Sequence, residues 1–396
     1  MGLPLGLVLA DHGMNVTLLD IDSTKVNEIN AGEMPFLEDS AEPLLHRLIG
    51  KSLRASLDDH CLKDADIVVT VVGTPVDRHL NPNVHELYRS MDEVICKMKD
   101  DSLLVLRSTV YPGVTKLIYD RIAALGRNIL LACCPERIAE GKAIEELVTL
   151  PQLISAFESR AMERARNLFL EFTPSVIELE PVEAELAKLF TNSWRYLNFA
   201  ISNQFYILAQ GHGVDFYKIY NAVTRDYPRM RNFAKPGFAA GPCLLKDTLQ
   251  LAAFAQNNFF LGHAAMLINE GLPNFIVQQL ERSGLAAKRV VILGMAFKAE
   301  SDDTRESLSC KVRNLLQVKA REVLCSDPYV KEPGLIPAQE GVDRADIVIL
   351  GAPHAIYRDL KIPPDKTIID VWNFWPSQGI QRAVPIPLET IAQGPG

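Results

Sequence analysis

The sequence predicts an α/β protein: two parallel-sheet domains joined by a long helix and a helical central domain. Three observations carry this. In the first half, continuous Val/Leu/Ile runs alternate with helix-like stretches, the pattern of strands covered on both faces. Glu183 to about Gly211 is one long amphipathic stretch with no internal Gly or Pro. After Gly284 the alternation of apolar runs and helical segments returns. A chain of 396 residues exceeds one ordinary domain, so two or three are expected.

Taken in order, Asn15–Asp20 reads as a strand ending in an acid. Asp66–Gly73 and Ser102–Thr109 read as buried strands, each leading into a Gly/Thr/Pro turn, and Asn128–Ala132 is similar. Ligands of such sheets bind beyond the carboxyl ends of the strands. Those ends carry Asp20, Gly73-Thr74-Pro75, Ser108-Thr109 and Pro135-Glu136-Arg137. These elements define an N-terminal domain over residues 1–180. The long helix opens a central helical domain, 181–284, interrupted by a loop ahead of Cys243. Arg289–Gly294, Glu322–Asp327, Ala345–Gly351 and Lys366–Asp370 read as strands of a C-terminal domain, 285–396.

Composition narrows the partners. The chain is 48% hydrophobic and 23% charged, enough for sizeable cores, and its formal charge is -8 without a basic stripe. Nucleic acid is therefore not an expected partner. No apolar run is long enough to span a bilayer, and the start lacks the basic, apolar and small-residue succession of an export signal. Seven cysteines are scattered with neither C-x-x-C nor zinc spacing. A reducing cytoplasm and no metal are the expectations.

The stretch richest in chemistry is Gly237-Phe238-Ala239-Ala240-Gly241-Pro242-Cys243-Leu244-Leu245-Lys246-Asp247. Small residues let a substrate approach the backbone closely. A thiol reacts as its thiolate, which a nearby cation such as Lys246 favours. A buried Cys beside an ordinary helix start is the plainer alternative for a lone thiol. The Gly-rich approach together with the charged pair favours chemistry.

Read together and in order, these segments resemble the UDP-glucose/GDP-mannose dehydrogenase family, the four-electron nucleotide-sugar dehydrogenases. The resemblance runs through Gly73-Thr74-Pro75, Ser108-Thr109-Val110, Pro135-Glu136-Arg137, Lys188 with Asn192, the Cys243 loop, Gly294-Met295-Ala296-Phe297-Lys298 and Asp303-Thr304-Arg305-Glu306-Ser307. It implies two Rossmann-like domains, NAD as cofactor and a UDP-sugar as substrate. By resemblance, an alcohol is oxidised to an aldehyde, Cys243 adds to it, a second hydride leaves, and the thioester is hydrolysed. Lys188 and Asn192 match the pair that stabilises the oxyanion, on one helix face by their i, i+4 spacing. Asp247 matches a carboxylate that handles water, and Thr109 and Glu136 match residues of water placement and thioester hydrolysis. Without the resemblance, Lys188 and Asn192 read equally as a solvated helix stripe, Thr109 as a strand-end hydroxyl, and Glu136 as a charge at a helix N-terminus.

For the cofactor, Asp20 is placed to bind an adenosine ribose, which favours NAD over NADP. Lys25, Thr74, Thr109, Glu140 and Arg305 match further contacts to it. For the UDP-sugar, the resemblance implies Arg137, Lys188, Asn192, Gly237, Phe297 and Lys298, with Arg229 in Tyr227-Pro228-Arg229 reaching a neighbouring subunit. A homodimer or higher homo-oligomer is implied. Pro135-Glu136-Arg137 and the compact Tyr227-Pro228-Arg229 segment resemble the UDP-N-acetylhexosamine branch. UDP-N-acetylglucosamine or UDP-N-acetylmannosamine ranks first, UDP-glucose or galactose derivatives second. A non-catalytic nucleotide-sugar binding protein is the competing class, against which a retained nucleophile argues.

Two departures are visible. Met1-Gly2-Leu3-Pro4-Leu5-Gly6 resembles the last glycine of a G-x-G-x-x-G fingerprint and the helix after it. Either a strand and Gly-x-Gly turn stand further upstream, which is the favoured expectation and whose addition raises NAD affinity, or this form binds the cofactor poorly. Trp372, in Asp370-Val371-Trp372-Asn373, stands where many relatives have Arg. Stacking on a base and packing in a core are both open to it.

Overall fold

The computed structural model describes residues 2–72, 84–238 and 241–375. Gly2–Asp11 (α1) is apolar on every side, and Leu3 to Ala10 are all buried. A helix of that kind belongs inside a layered structure. Then follow Val16–Leu19 (β1), Ser23–Asn30 (α2), Ala41–Leu48 (α3), Leu53–Ser56 (β2) and Ile67–Thr70 (β3). Val84–Lys97 (α4), Leu103–Leu106 (β4), Val114–Ala124 (α5), Leu130–Cys133 (β5) and Ala143–Thr149 (α6) continue the alternation. Gln152–Ala156 (β6), Ser159–Leu170 (α7), Val176–Leu179 (β7) and the 31-residue Pro181–Gly211 (α8) complete the first half.

Contacts between backbone positions divide the chain into two units: Met1–Thr191 with Leu249–Asn257, and Asn192–Thr248 with Asn258–Gly396. In the first, β1 and β2 pair in parallel, and β3-β4-β5-β6-β7 form a second sheet. Every pairing of the larger sheet is parallel except β5 with β6. That one antiparallel step is a difference from the all-parallel pattern the apolar runs suggest. β2, β6 and β7 are strands that the runs themselves did not single out, because short segments such as Leu53-Arg54-Ala55-Ser56 interleave polar residues.

Helix α1 serves both sheets. Leu5, Val8 and Leu9 pack with Leu103, Val105 and Leu130, while Leu3, Leu7 and Ala10 pack with Leu53 and Ala55. Gly6 is what lets α1 lie against β1, since a Cβ there would be 2.6 Å from Leu18 Cδ2. Among the described residues no hydrogen-bonded pairing joins β1 to β3. On the opposite side, Glu185 of α8 accepts N–H bonds from Gly113 at 2.6 Å and Thr115 at 2.7 Å. It thereby caps α5 from a distant part of the chain.

The second unit contains Phe216–Thr224 (α9), most of Pro242–Phe254 (α10), Phe260–Glu281 (α11), Arg289–Leu293 (β8), Leu308–Gln317 (α12), Glu322–Ser326 (β9), Ala338–Arg344 (α13), Ile347–Leu350 (β10) and Thr367–Ile369 (β11). Its sheet is wholly parallel in the order β11-β10-β8-β9. The order reverses at β8, so the crevice beyond β8 and β10 is the place such a sheet offers a ligand. Gly294 lies at that crossing with φ 92°, where an added Cβ would collide with the Ala352 backbone. The N-terminal and C-terminal α/β halves and the long helix are thus as the sequence predicts.

Candidate active site

In the second unit, Pro242 and Cys243 are the first two residues of α10. Proline suits a helix start because its missing N–H is one of those left without an intrahelical partner there. Cys243 is exposed, at the end of the helix where free N–H groups favour negative charge. One turn on, Asp247 is buried and its Oδ2 accepts a hydrogen bond from Asn192 Nδ2 at 2.5 Å. Lys246 Nζ faces the other oxygen at 3.4 Å. The i, i+3 and i+4 spacing puts Cys243, Lys246 and Asp247 on one side of α10, and Asn192 of α8 closes on the same carboxylate. The cation named from sequence as the thiol's neighbour thus has Asp247 as its partner.

The sugar-side candidates divide. Phe297 lies just beyond β8, with its ring against Gly241, where φ is 92° and a Cβ would be 2.6 Å from Cδ2. Lys298 Nζ stands 5.9 Å from the centroid of that ring. Gly237 is hydrogen-bonded through both backbone groups to Asn203. Arg229 sits in the Pro228–Met230 turn, exposed, with its guanidinium 5.5 Å above Tyr227. Arg305 is paired with Asp303 at 2.6 Å.

In the first unit, Asp20 follows β1 with its side chain exposed and accepts the Asp22 N–H at 3.0 Å. Asp22 caps α2 by accepting from Thr24 and Lys25, and those donors hold its carboxyl below the usual carboxylate range. Lys25 Nζ is 3.4 Å from Asp22, so Asp22 is a member of this corner that strand-end reasoning missed. Thr109 is half-buried in the turn after β4, and Glu140 is half-buried ahead of α6. Lys188 is buried on α8, one turn before Asn192. Thr74 lies outside the described residues, as do Gly73, Pro75, Ala239 and Ala240.

Glu136 is not a charge open at a helix end. It is buried, ion-paired to Arg107 Nη2, and accepts the N–H groups of Arg137 at 2.7 Å and Ile138 at 3.0 Å. Arg107 also donates to Cys134 O at 2.9 Å and Gln152 Oε1 at 2.7 Å, and lies over Phe169. Arg137 donates to Pro151 O, and burial pulls its guanidinium below its ordinary range. The signal for Arg107 was present in the sequence: a lone cation at the end of an otherwise apolar strand.

A second buried group was missed altogether. Asp327, past β9, accepts from the N–H groups of Met295 at 2.7 Å, Ala296 at 3.0 Å, Tyr329 at 2.9 Å and Val330 at 3.0 Å. His354 Nδ1 accepts the Glu300 N–H at 3.0 Å, which leaves Nε2 to donate to Asp327 at 3.2 Å. Burial pushes the Asp327 carboxyl up, but the bonds from His354, Tyr329 and Ala296 outweigh it and hold it at about 2. The N–H groups of Met295 and Ala296, just after Gly294, are therefore taken by the protein's own anion. The sequence signal is the acid at the end of β9, in the position that Asp20 takes at the end of β1.

Comparison with known proteins places this arrangement. Residues 1–173 match the NAD binding domain of the UDP-glucose/GDP-mannose dehydrogenase family, 182–270 its central domain and 291–377 its UDP binding domain. The chain belongs to that family. UDP-N-acetyl-D-mannosamine dehydrogenase of Pyrococcus horikoshii is 29% identical over 376 residues, 91% of this chain and 88% of that protein. The solved structure of the UDP-D-ManNAc dehydrogenase from the same organism superposes with a TM-score of 0.87 at 27% identity, covering 97% of this chain and 96% of the other. A UDP-glucose dehydrogenase structure from Pyrobaculum islandicum reaches 0.87 at 26% identity, covering 97% and 95%.

As a member of the UDP-glucose/GDP-mannose dehydrogenase family, the protein is an NAD-dependent oxidoreductase acting on a nucleotide sugar. Its first unit fits the adenosine end of NAD. Asp20 offers an open carboxylate just beyond β1, and Gly6 gives the close helix-strand approach such domains use.

Proposed function

We propose that the chain oxidises C6 of a UDP-N-acetylhexosamine, UDP-N-acetylmannosamine first and UDP-N-acetylglucosamine second, to the uronic acid through covalent attachment to Cys243. The observation that carries this is the exposed thiol at the head of α10, with Asn192 bonded to Asp247 one turn behind it. The names of the relatives support the substrate ranking, and Glu136-Arg137 with the Tyr227-Pro228-Arg229 turn supports the branch. NAD accepts the hydride in each of the two oxidations.

The residues divide the work. The Cys243 thiolate attacks the aldehyde carbon formed by the first oxidation, a C–S bond forms, and negative charge moves to oxygen. Lys188 and Asn192 stabilise that oxygen. Asp247 orients the Asn192 amide and handles water. After the second oxidation leaves a thioester, water adds to its carbonyl, the C–S bond breaks, and the thiol is released beside the carboxylate. Thr109 places that water; Glu136, ion-paired to Arg107, orders the residues beside it. Arg137, Gly237, Phe297 and Lys298 contact the UDP-sugar. Asp20, Lys25, Thr74, Glu140 and Arg305 contact the cofactor.

On this reading residues 1–180 bind NAD, 181–284 carry the nucleophile and the subunit contact, and 285–396 bind the UDP-sugar. A homo-oligomer is part of the proposal, because α8 exposes Phe190, Trp194, Ile201, Phe205 and Leu208 at helical spacing, each between 46% and 64% accessible. Arg229 is the residue that reaches across to the partner's substrate. None of the seven cysteines is in a disulfide, and no described helix is long and apolar enough to cross a membrane. Both support a cytoplasmic supply of acidic sugar for surface polysaccharide.

The test is spectrophotometric: NAD with a panel of UDP-sugars, following NADH. Two NADH per UDP-N-acetylhexosamine, abolished by Cys243→Ala, is the expected result. A preference for UDP-glucose would move the substrate assignment, and binding without turnover would defeat the enzymatic reading.

A further inference from the structure

Gly237 leads the segment towards Cys243, and its own backbone does not call for glycine. Its φ is not among the left-handed values that Gly241 and Gly294 adopt, so an L side chain is conformationally permitted. A neighbour forbids it. A Cβ on Gly237 would lie 2.5 Å from Cη2 of Trp372 and closer still to Cε3 and Cζ3. That ring is no flexible obstacle. Its Nε1–H donates to Gly351 O at 3.1 Å, and it packs against both apolar clusters of the β8–β11 sheet.

The same glycine is held by an amide. Asn203 Oδ1 accepts the Gly237 N–H at 2.9 Å, and its Nδ2 donates to Gly237 O at 3.2 Å and to Asn269 Oδ1 at 2.9 Å. Phe238, the next residue, is buried in the cluster that contains Val290 and Ile292. Gly237 is thus fixed by two backbone bonds and by an indole against its open Cα.

We propose that Trp372 is a positioning residue for Cys243. The indole is a rigid stop that sets where Gly237 and Phe238 rest, shortly ahead of Cys243 in the sequence. Because Trp372 follows β11, the UDP-binding half and Gly237 share one ring. Stacking on a nucleotide base is the competing role, and the two differ in what they do to a thiol with no ligand present. The kinetic arm of the test rests on the dehydrogenase reading; the thiol arm does not.

The test uses Gly237→Ala, Trp372→Ala and the double variant, in full-length protein whose melting is measured first. Two quantities are followed: the rate at which iodoacetamide alkylates Cys243, by peptide mass, and kcat and KM with the UDP-sugar. Gly237→Ala is expected to change the alkylation rate and kcat by roughly tenfold to a hundredfold. With the colliding ring removed, the double variant is expected within about threefold of Trp372→Ala alone. If Gly237→Ala fails to fold, Trp372→Ala carries the test by itself and must shift the alkylation rate without ligand. Wild-type alkylation in Trp372→Ala with weakened UDP binding by calorimetry points to base stacking and overturns the proposal. A double variant no better than Gly237→Ala also overturns it. Absence of turnover in the wild type would defeat the functional reading and leave the alkylation result standing.

Discussion

Arg107 and Glu136 are two buried charges whose separate places in the sequence hide that they form one unit. Each alone would be expensive in the interior, and the pair is tolerable because Cys134 O, Gln152 and two backbone N–H groups add bonds to both partners; the buried Arg107 Nε is left without a hydrogen-bond partner. Arg107→Met strands the Glu136 charge and should cost about 3–5 kcal/mol in denaturant unfolding, whereas Arg107→Met with Glu136→Gln should recover much of that loss. An Arg107→Met protein as stable as wild type would rule this pairing out as a structural need. Asp327 gives a prediction of another kind. Its folded carboxyl is held at about 2 against an ordinary 3.8, so its contribution is fully present above pH 4 and is lost as pH falls through 2. Acid titration should remove about 2 kcal/mol of stability across that window. Asp327→Asn should flatten that part of the pH profile, and an unchanged profile would show that the carboxyl is not the group responsible.

At the scale of elements, α8 does two things at once. Its buried side carries Glu185, Lys188, Asn192 and Tyr196, while Phe190, Trp194, Ile201, Phe205 and Leu208 face outward. A helix apolar towards solvent at this spacing needs a cover, and a second copy of the chain is the occupant proposed above. Replacing Phe205 and Leu208 by Glu should halve the mass measured by light scattering while leaving the far-ultraviolet circular dichroism in place. A wild type that is already monomeric at working concentration would defeat this assignment. The element-level pattern was legible in the residues: β4 and β5, fully buried in the structure, are unbroken Leu/Val/Ala/Cys runs. β2 and β7 were not, because strands at a sheet margin carry charges such as Arg54 and Glu178 that mask their periodicity.

For the molecule as a whole, the order of motifs was enough to give the α/β class, the long connecting helix, the family and NAD. Those depend on local hydrophobic period and on residue types at fixed spacing, which a linear sequence preserves. Candidate chemistry was legible in the same way for Cys243, Lys246 and Asp247, which share one helix turn. Contacts between distant segments were not. Asn192 meeting Asp247 across 55 positions, Asp327 taking the N–H groups just after Gly294, and Trp372 lying on Gly237 are set by how helices and strand ends pack. The sequence by itself determined the α/β class, the long connecting helix, the family and its cofactor. Only the tertiary structure decided which buried charge answers which, because that depends on burial and donor geometry between segments with no relation in sequence.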